Sequence, residues 1–295
     1  MMRAAITIIL LSAALTQISA ADSLKQNIRE FISQYDATVG VAVITDGDTT
    51  EINCGRTYPL ASVMKFPQAL AACDAMQEKG TPLDSIISLT KSDLHGNTYS
   101  PLRELYPKGT NLTIDSLLFY SIALSDNNAC DKIFSTFISP AATEEYLRKS
   151  GFESFTVSVT EDDMHRNPSA INSNSATPTD VAALFQRFAD GKMLSGEYFR
   201  SVWNALVNCQ TGTDQLKKPL PAGSIILHKT GTGFRDGNGR ITAQNDAGWI
   251  RLPDGTEYSI AVFITGSAES DTTNSAIIAG ISGIVCDYFN AHLPK

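Results

Sequence analysis

Apolar residues in this chain alternate with a period of two near both ends and recur at helical spacing through the middle. That distribution is the strongest constraint on what the chain can fold into. Near the start, "VGVAVITDGDTTEINCG" (39–55) places apolar and small residues around the turn "TDGDT" and reads as a β-hairpin. Ahead of it, "SLKQNIREFISQY" carries Leu24, Ile28, Phe31 and Ile32 on one helical face. From Ser62 to about Leu206 the patterns are mainly helical, as in "FPQALAACDAMQEKG" and "TPTDVAALFQRFADG", with Thr113 and Thr177 standing where helix caps belong. The strand signal then returns in "GSIILHKTG", "NDAGWIRLP" and "EYSIAVFITG", the last two joined by the hairpin turn "PDGT". "TTNSAIIAGISGIVCDYFNAHL" reads as a closing helix. The expected fold is α/β of the α+β kind: an antiparallel sheet built from both chain ends and flanked by helices, with an all-helical region inserted. The boundaries that follow are 22–60 and 209–295 for the α/β domain and 61–208 for the helical one. The crevice between two such layers is the expected place for a site.

Of the 295 residues, 43% are hydrophobic and 18% charged, enough apolar content for a sizeable core. The net charge of −8 and the lack of a long Lys/Arg run argue against nucleic acid or an anionic membrane as partner. Residues 1–21 read as a secretory signal peptide: Arg3, an apolar run from Ala4 to Leu15, then small residues with cleavage after Ala20 or Ala21. No Cys closes that run to carry a lipid, so we expect a soluble, monomeric, exported protein without a membrane anchor, periplasmic or secreted. Cys54, Cys73, Cys130, Cys209 and Cys286 are too widely spaced for a zinc motif; they read as buried thiols, with one bridge left open. His95, His165, His228 and His292 have no metal-ligand spacing, and no metal or cofactor is expected. His228 reads as a packed strand residue. Asn111-Leu112-Thr113 matches a glycosylation sequon without significance in a bacterial periplasm.

Three short patterns carry chemistry. Ser62-x-x-Lys65 places a hydroxyl and an amine one helical turn apart, on the same side of a helix start. A second such pair, Ser88 and Lys91, lies in a different context. Ser125-Asp126-Asn127 interrupts a helical stretch with residues that compete for backbone hydrogen bonds, and reads as a loop presenting a hydroxyl and an amide to a cleft. Lys229-Thr230-Gly231 ends an apolar strand with a cation, a hydroxyl and a glycine that permits close backbone approach.

In this order the three patterns resemble the motif set of the class A serine β-lactamases and penicillin-binding proteins, and the resemblance to class A covers nearly the whole mature sequence. It implies hydrolysis of a β-lactam amide through a Ser62 acyl-enzyme, giving antibiotic resistance, with a small-molecule β-lactam as the only partner. Ser62 is then the nucleophile and Ser88 the decoy. Lys65 is implied in activating Ser62, Ser125 in passing a proton to the leaving nitrogen, and Asn127 in binding the acylamide side chain. Lys229, Thr230 and Thr232 are implied in holding the carboxylate, with the Ser62 and Thr232 N–H groups as oxyanion hole and Tyr99 at the entrance. Glu161, within the irregular stretch near 159–178, stands at the distance of the family's Ω-loop glutamate, the base for deacylation. Two positions depart from the usual pattern. His165 stands where most members have Asn, and is expected to position the water. Val159 stands where many have a loop-anchoring Arg, so the loop must be held otherwise, with Asp131 a candidate. These departures, with "SDNNACD" and "NTYSPLRELYP", are most similar to the divergent branch rich in cephalosporinases and extended-spectrum enzymes. The alternative is a penicillin-binding DD-peptidase or β-lactam sensor that acylates but deacylates poorly. Which Arg, among Arg235, Arg240 and Arg251, assists the carboxylate is left open.

Overall fold

A computed structural model of the chain describes residues 20–45 and 47–292. Most of the expected signal segment, residues 1–19, therefore lies outside the described residues. Helix α1 (Ala20–Ile32) leads into strands β1 (Thr38–Thr45) and β2 (Asp48–Ile52), the expected hairpin, in which Val43 faces Thr50. The last three strands, β8 (Ile225–Thr232), β9 (Gln244–Arg251) and β10 (Glu257–Thr265), complete a five-stranded antiparallel sheet of order β2-β1-β10-β9-β8. The closing helix α10 runs Asp271–His292.

Alternation along the strands separates two cores. Val41, Ile250, Ile260 and Val262 turn to one face, where Ile28 of α1 and Ile281 of α10 cover them. Ala42, Trp249, Ala261 and Phe263 turn to the other face and meet the inserted helices. Both faces are thus covered, and β8 is left as an edge.

The inserted block is helical in its bulk. A short 3₁₀ turn (Ala61–Met64) runs directly into α2 (Lys65–Lys79), whose residues are buried on nearly every side, the mark of a helix inside a core. Around it lie α4 (Ile114–Ala123), α5 (Asn127–Thr136), α6 (Pro140–Lys149), α8 (Pro178–Ala189) and α9 (Gly196–Val207). The Thr113 and Thr177 side chains cap α4 and α8, accepting from Ser116 N and Asp180 N. The block also carries short strands. β3 (Tyr58–Pro59), β6 (Thr156–Val157) and β7 (Asn174–Ala176) form a small sheet at its root. β4 (Ile86–Thr90) pairs with β5 (Gly109–Thr113) on its outer side. Ser88 and Asn111 face each other on that outer ribbon, which separates both the second Ser/Lys pair and the sequon from the cleft. Of two short helices, α7 (Glu161–Arg166) borders the cleft and α3 (Pro101–Leu105) lies against the head of α5.

Phe66 of α2 sits at the centre of the larger core, its ring stacked on Phe185 at 4.1 Å and edge-on to Phe188 at 5.5 Å. It is fully buried, so Phe66→Ala leaves a cavity that the rigid α8 rings beside it cannot fill. Urea unfolding should report a loss of about 3–5 kcal/mol for this variant.

Candidate active site

The cleft lies where the edge strand β8 meets the start of α2. Gly231 makes that approach possible: a Cβ there would fall 2.5 Å from Leu60 O and 3.1 Å from Ser62 N. From the far side, Asn245 of β9 donates to Pro59 O at 2.8 Å and holds the incoming chain. Three described non-glycine residues have positive φ, and two of them flank the site, Ala61 at 46° and Ser125 at 56°. Such conformations cost of order 1–3 kcal/mol each and persist only where surrounding contacts enforce them.

Ser62 and Lys65 face the same side of the helix start, as their spacing predicts, with Lys65 Nζ 2.6 Å from Ser62 Oγ. The Lys65 ammonium is fully buried. It also reaches Asn127 Oδ1 at 2.6 Å, Glu161 Oε1 at 2.7 Å and Ser125 O at 3.2 Å. An ammonium has three protons, and here it meets four acceptors. The Ser62 hydroxyl points its own proton at Glu161 Oε1, 3.3 Å away.

Each acceptor is held by a separate element. Asp126 caps α5 and accepts from Ala129 N, Leu102 N and Ser100 Oγ, so the middle residue of Ser125-Asp126-Asn127 ties α5 to α3. Burial raises the Asp126 carboxyl above its ordinary range even against these donors. Asn127 turns its oxygen to the ammonium and its Nδ2 to Thr98 Oγ1 at 2.6 Å; one Nδ2 proton stays available to the cleft. Glu161 opens α7, which Thr160 and Asp163 close as a capping box. Its N–H and that of Asp162 donate to Asp131 at 2.9 and 2.8 Å. Asn174 staples the loop base, bonding Ser158 N, Val159 N and Val159 O. Asp131 and Asn174 together hold the loop across from Val159, which packs beside Ala61, Met164 and Ile171.

His165 lines the cleft beside Glu161. Its Nδ1 lies 2.8 Å from Glu161 O and its Nε2 3.1 Å from Thr98 Oγ1. Thr98 Oγ1 is also 3.4 Å from Nδ1, so it sits beside the ring and not in line with Nε2. The ring links α7 to Thr98 and rests edge-on against Phe234.

Lys229 is also fully buried; its Nζ donates to Ser125 Oγ at 2.8 Å and Thr230 O at 2.9 Å. Burial pulls its ammonium down to about 8. Among the described residues it forms no ion pair with a carboxylate. Thr230 and Thr232 line the cleft, and Tyr99, 54% exposed, stands at its mouth. The cleft holds about 270 Å³. Sequence reasoning missed Thr98 and the loop after α9, whose Thr211, Gly212 and Gln215 line one wall, with Thr211 Oγ1 2.6 Å from Thr230 Oγ1. No motif marks that loop. Arg235 is engaged by Asp271 and Glu269 O, Arg240 by Asp36, and Arg251 by Glu257; none lines the cleft. All five cysteines are free thiols. Among the described residues no helix is long and apolar enough to cross a membrane, and no group of three or more His, Cys, Asp or Glu is arranged for a metal.

The family model described as the β-lactamase enzyme family matches residues 23–289. A β-lactamase of Bacteroides uniformis is 37% identical over 287 residues, covering 96% of this chain and 97% of the relative. The extended-spectrum β-lactamase PER-1 of Pseudomonas aeruginosa is 32% identical over 281 residues, covering 94% and 91%. A class A β-lactamase structure from Bacteroides cellulosilyticus superposes with a TM-score of 0.89 at 36% identity, over 92% of this chain and 99% of that one.

Asp131 yields a pH prediction. Burial and the neighbouring Glu161 charge raise its carboxyl to about 7. The folded value lies above the unfolded one. Its contribution to stability is therefore full below the unfolded value near 3.8 and lost as pH rises through about 7. Asp131→Asn cannot ionise. Between pH 5 and pH 8, urea unfolding should show wild type losing roughly 3 kcal/mol relative to the variant.

Proposed function

This chain belongs to the class A serine β-lactamases, hydrolases that open the β-lactam ring, and we propose that Ser62, Lys65, Ser125 and Glu161 perform the chemistry. The observation that carries the assignment is the single buried ammonium of Lys65 bonded to Ser62 Oγ and Glu161 Oε1 at once. With three protons Lys65 is a donor to Ser62. To act as base it must first pass a proton to Glu161, 2.7 Å away. Glu161 can also take the Ser62 proton directly. By either route one proton is left on the Glu161 carboxylate and Lys65 is an ammonium, so the oxygen nucleophile stands beside a cation.

Ser62 then attacks the lactam carbonyl, and the Ser62 and Thr232 N–H groups receive the oxyanion. Ser125 accepts from Lys229 through its oxygen and gives its own hydrogen to the departing nitrogen; the proton left on Glu161 returns through Lys65 to restore the Ser125 hydroxyl, so Glu161 is a carboxylate again before deacylation. The free Asn127 Nδ2 proton binds the acylamide carbonyl. Lys229 is a buried cation with only neutral hydrogen-bond partners, which favours an anionic ligand; with Thr230 and Thr232 it holds the substrate carboxylate. In deacylation Glu161 activates a water against the ester. His165, bonded to Glu161 O and lining the cleft, positions that water.

We place cephalosporins among the preferred substrates. Met164, Ile171 and Phe234 form an apolar wall for a large acyl side chain, and the related PER-1 is an extended-spectrum enzyme. The chain reads as two domains, 22–60 with 209–295 and 61–208, working as a monomer after export to the periplasm or medium.

Turnover of a chromogenic cephalosporin by the mature protein tests the reading. Many turnovers per enzyme support it. A single stoichiometric burst would mean a binder that acylates only, as a DD-peptidase or sensor does. Ser62→Ala should abolish acylation altogether. Glu161→Ala should slow turnover by about 10²–10⁴-fold; acylation slows with it, but deacylation, which has no other base, slows more, so a covalent adduct accumulates and is visible by intact-mass spectrometry; normal turnover by that variant would remove Glu161 from the mechanism.

A further inference from the structure

Three consecutive residues at the head of α5 each hold a different part of segment 95–102, which passes the cleft mouth before and into α3. Asp126 accepts from Ser100 Oγ and Leu102 N. Asn127 donates through Nδ2 to Thr98 Oγ1, and its backbone N–H donates to Tyr99 O at 3.1 Å. Asn128 is fully buried and holds His95: its Oδ1 accepts from His95 N at 3.0 Å and its Nδ2 donates to His95 O at 3.3 Å. One side chain thus satisfies both backbone groups of one residue, as a neighbouring strand would.

Arg103 holds the same turn by its carbonyls. Its Nη1 donates to Thr98 O at 2.8 Å and to His95 O. Those carbonyls stand at the two ends of the turn His95–Thr98, so one guanidinium nitrogen draws them together. Arg103 belongs to α3, whose cap Ser100 accepts from Arg103 N at 3.1 Å. Among the described residues it forms no ion pair with a carboxylate. The tip of the turn, Gly96 and Asn97, is exposed, whereas Thr98 is buried. Neither Asn128 nor Arg103 lines the cleft.

Thr98 is where this clamp meets the site. Its hydroxyl holds one of the two Nδ2 protons of Asn127, which fixes the amide plane and aims the second proton at the cleft. The same plane sets Asn127 Oδ1 against Lys65. A turn released from Asn128 or Arg103 would carry Thr98 away from Asn127 and leave the free proton without a fixed direction.

We infer that Asn128 and Arg103 are positioning residues for acylamide recognition: they clamp the turn His95–Thr98, hold Thr98 against Asn127, and so aim the Asn127 N–H at the acylamide carbonyl of the substrate. This rests on the reading of Asn127 as the acylamide ligand.

The test compares kcat and KM for wild type, Asn128→Ala, Arg103→Met and Arg103→Lys, using a cephalosporin that carries an acylamide side chain and its parent amine without the acyl group. Wild type should favour the acylated substrate. Asn128→Ala and Arg103→Met should each raise KM for that substrate by about three- to tenfold, the worth of one neutral hydrogen bond, with kcat and the parent amine little changed. Arg103 is only half-buried and Arg103→Met keeps its apolar stem, so that variant carries the test if Asn128→Ala folds poorly. Arg103→Lys keeps a donor for one carbonyl and should fall between Arg103→Met and wild type. An unchanged KM in both Asn128→Ala and Arg103→Met overturns the inference. So does a loss shared equally by the two substrates, which is what a clamp serving the fold alone would give. A wild type that hydrolyses both substrates alike would instead remove the acylamide reading of Asn127, and the inference with it, while leaving β-lactam hydrolysis standing.

Discussion

The structure depends on keeping one ammonium, that of Lys65, charged out of water. A buried charge without partners costs several kcal/mol, and its attraction to partners offsets that cost only when the geometry is good and the remaining protons are satisfied. Lys65 gets its partners from three stretches far apart in sequence: Ser62 in its own helix start, Ser125 and Asn127 at the head of α5, and Glu161 at the head of α7. Each partner is locked by a second set of bonds. Asp126 fixes the head of α5, Asp131 and Asn174 fix the Ω loop, and Asn245 with Gly231 fixes the turn before Ser62. Misplacing any of them leaves the ammonium short of a partner, so the inserted helices and the sheet are coupled through this one group.

The same coupling makes the groups act as a unit. Lys65, Asn127, Thr98, His165 and Glu161 form a closed circuit: Asn127 joins Lys65 to Thr98, Thr98 joins His165, and His165 returns to the Glu161 backbone. Changes within such a circuit are not additive, because removing one member reorients the next. A substitution at Thr98 or His165 thus reaches Glu161 without touching the reacting atoms.

Much of this was legible in the sequence because two periodicities and three motifs are local. Val41 to Ile44, Ile225 to Thr232 and the strands after them alternate strongly enough to give the sheet, and Ser62-x-x-Lys65 needs only a helical turn to bring its groups together. The short pairs β3/β7 and β6/β7 span two or three residues, too few for any period to register, and the five-residue pair β4/β5 escaped because Ile86-Ile87-Ser88-Leu89-Thr90 does not alternate strictly, so the inserted block read as wholly helical. The contacts of His165 were not legible, because its position in the family pattern does not reveal its bond to Glu161 O or its approach to Thr98. Thr211 was invisible for a related reason. Its place beside Thr230 comes from a loop folding over the edge of β8, and that contact is anchored by Asp246, in another strand, through Leu216.

The two lysines divide the electrostatic work. Lys65 is neutralised within the protein by Glu161, so its role can be internal, moving and holding a proton. Lys229 has no such ion pair among the described residues, and its burial weakens its hold on its proton until an anion arrives. A bound carboxylate supplies the missing charge, so binding and protonation of Lys229 favour each other. Lys229 also holds the Ser125 oxygen, so in the mechanism we propose an anionic substrate tightens the group assigned to protonate the leaving nitrogen. Part of the binding energy of the carboxylate is thereby expressed at the reacting end of the substrate, where it raises rate as well as affinity.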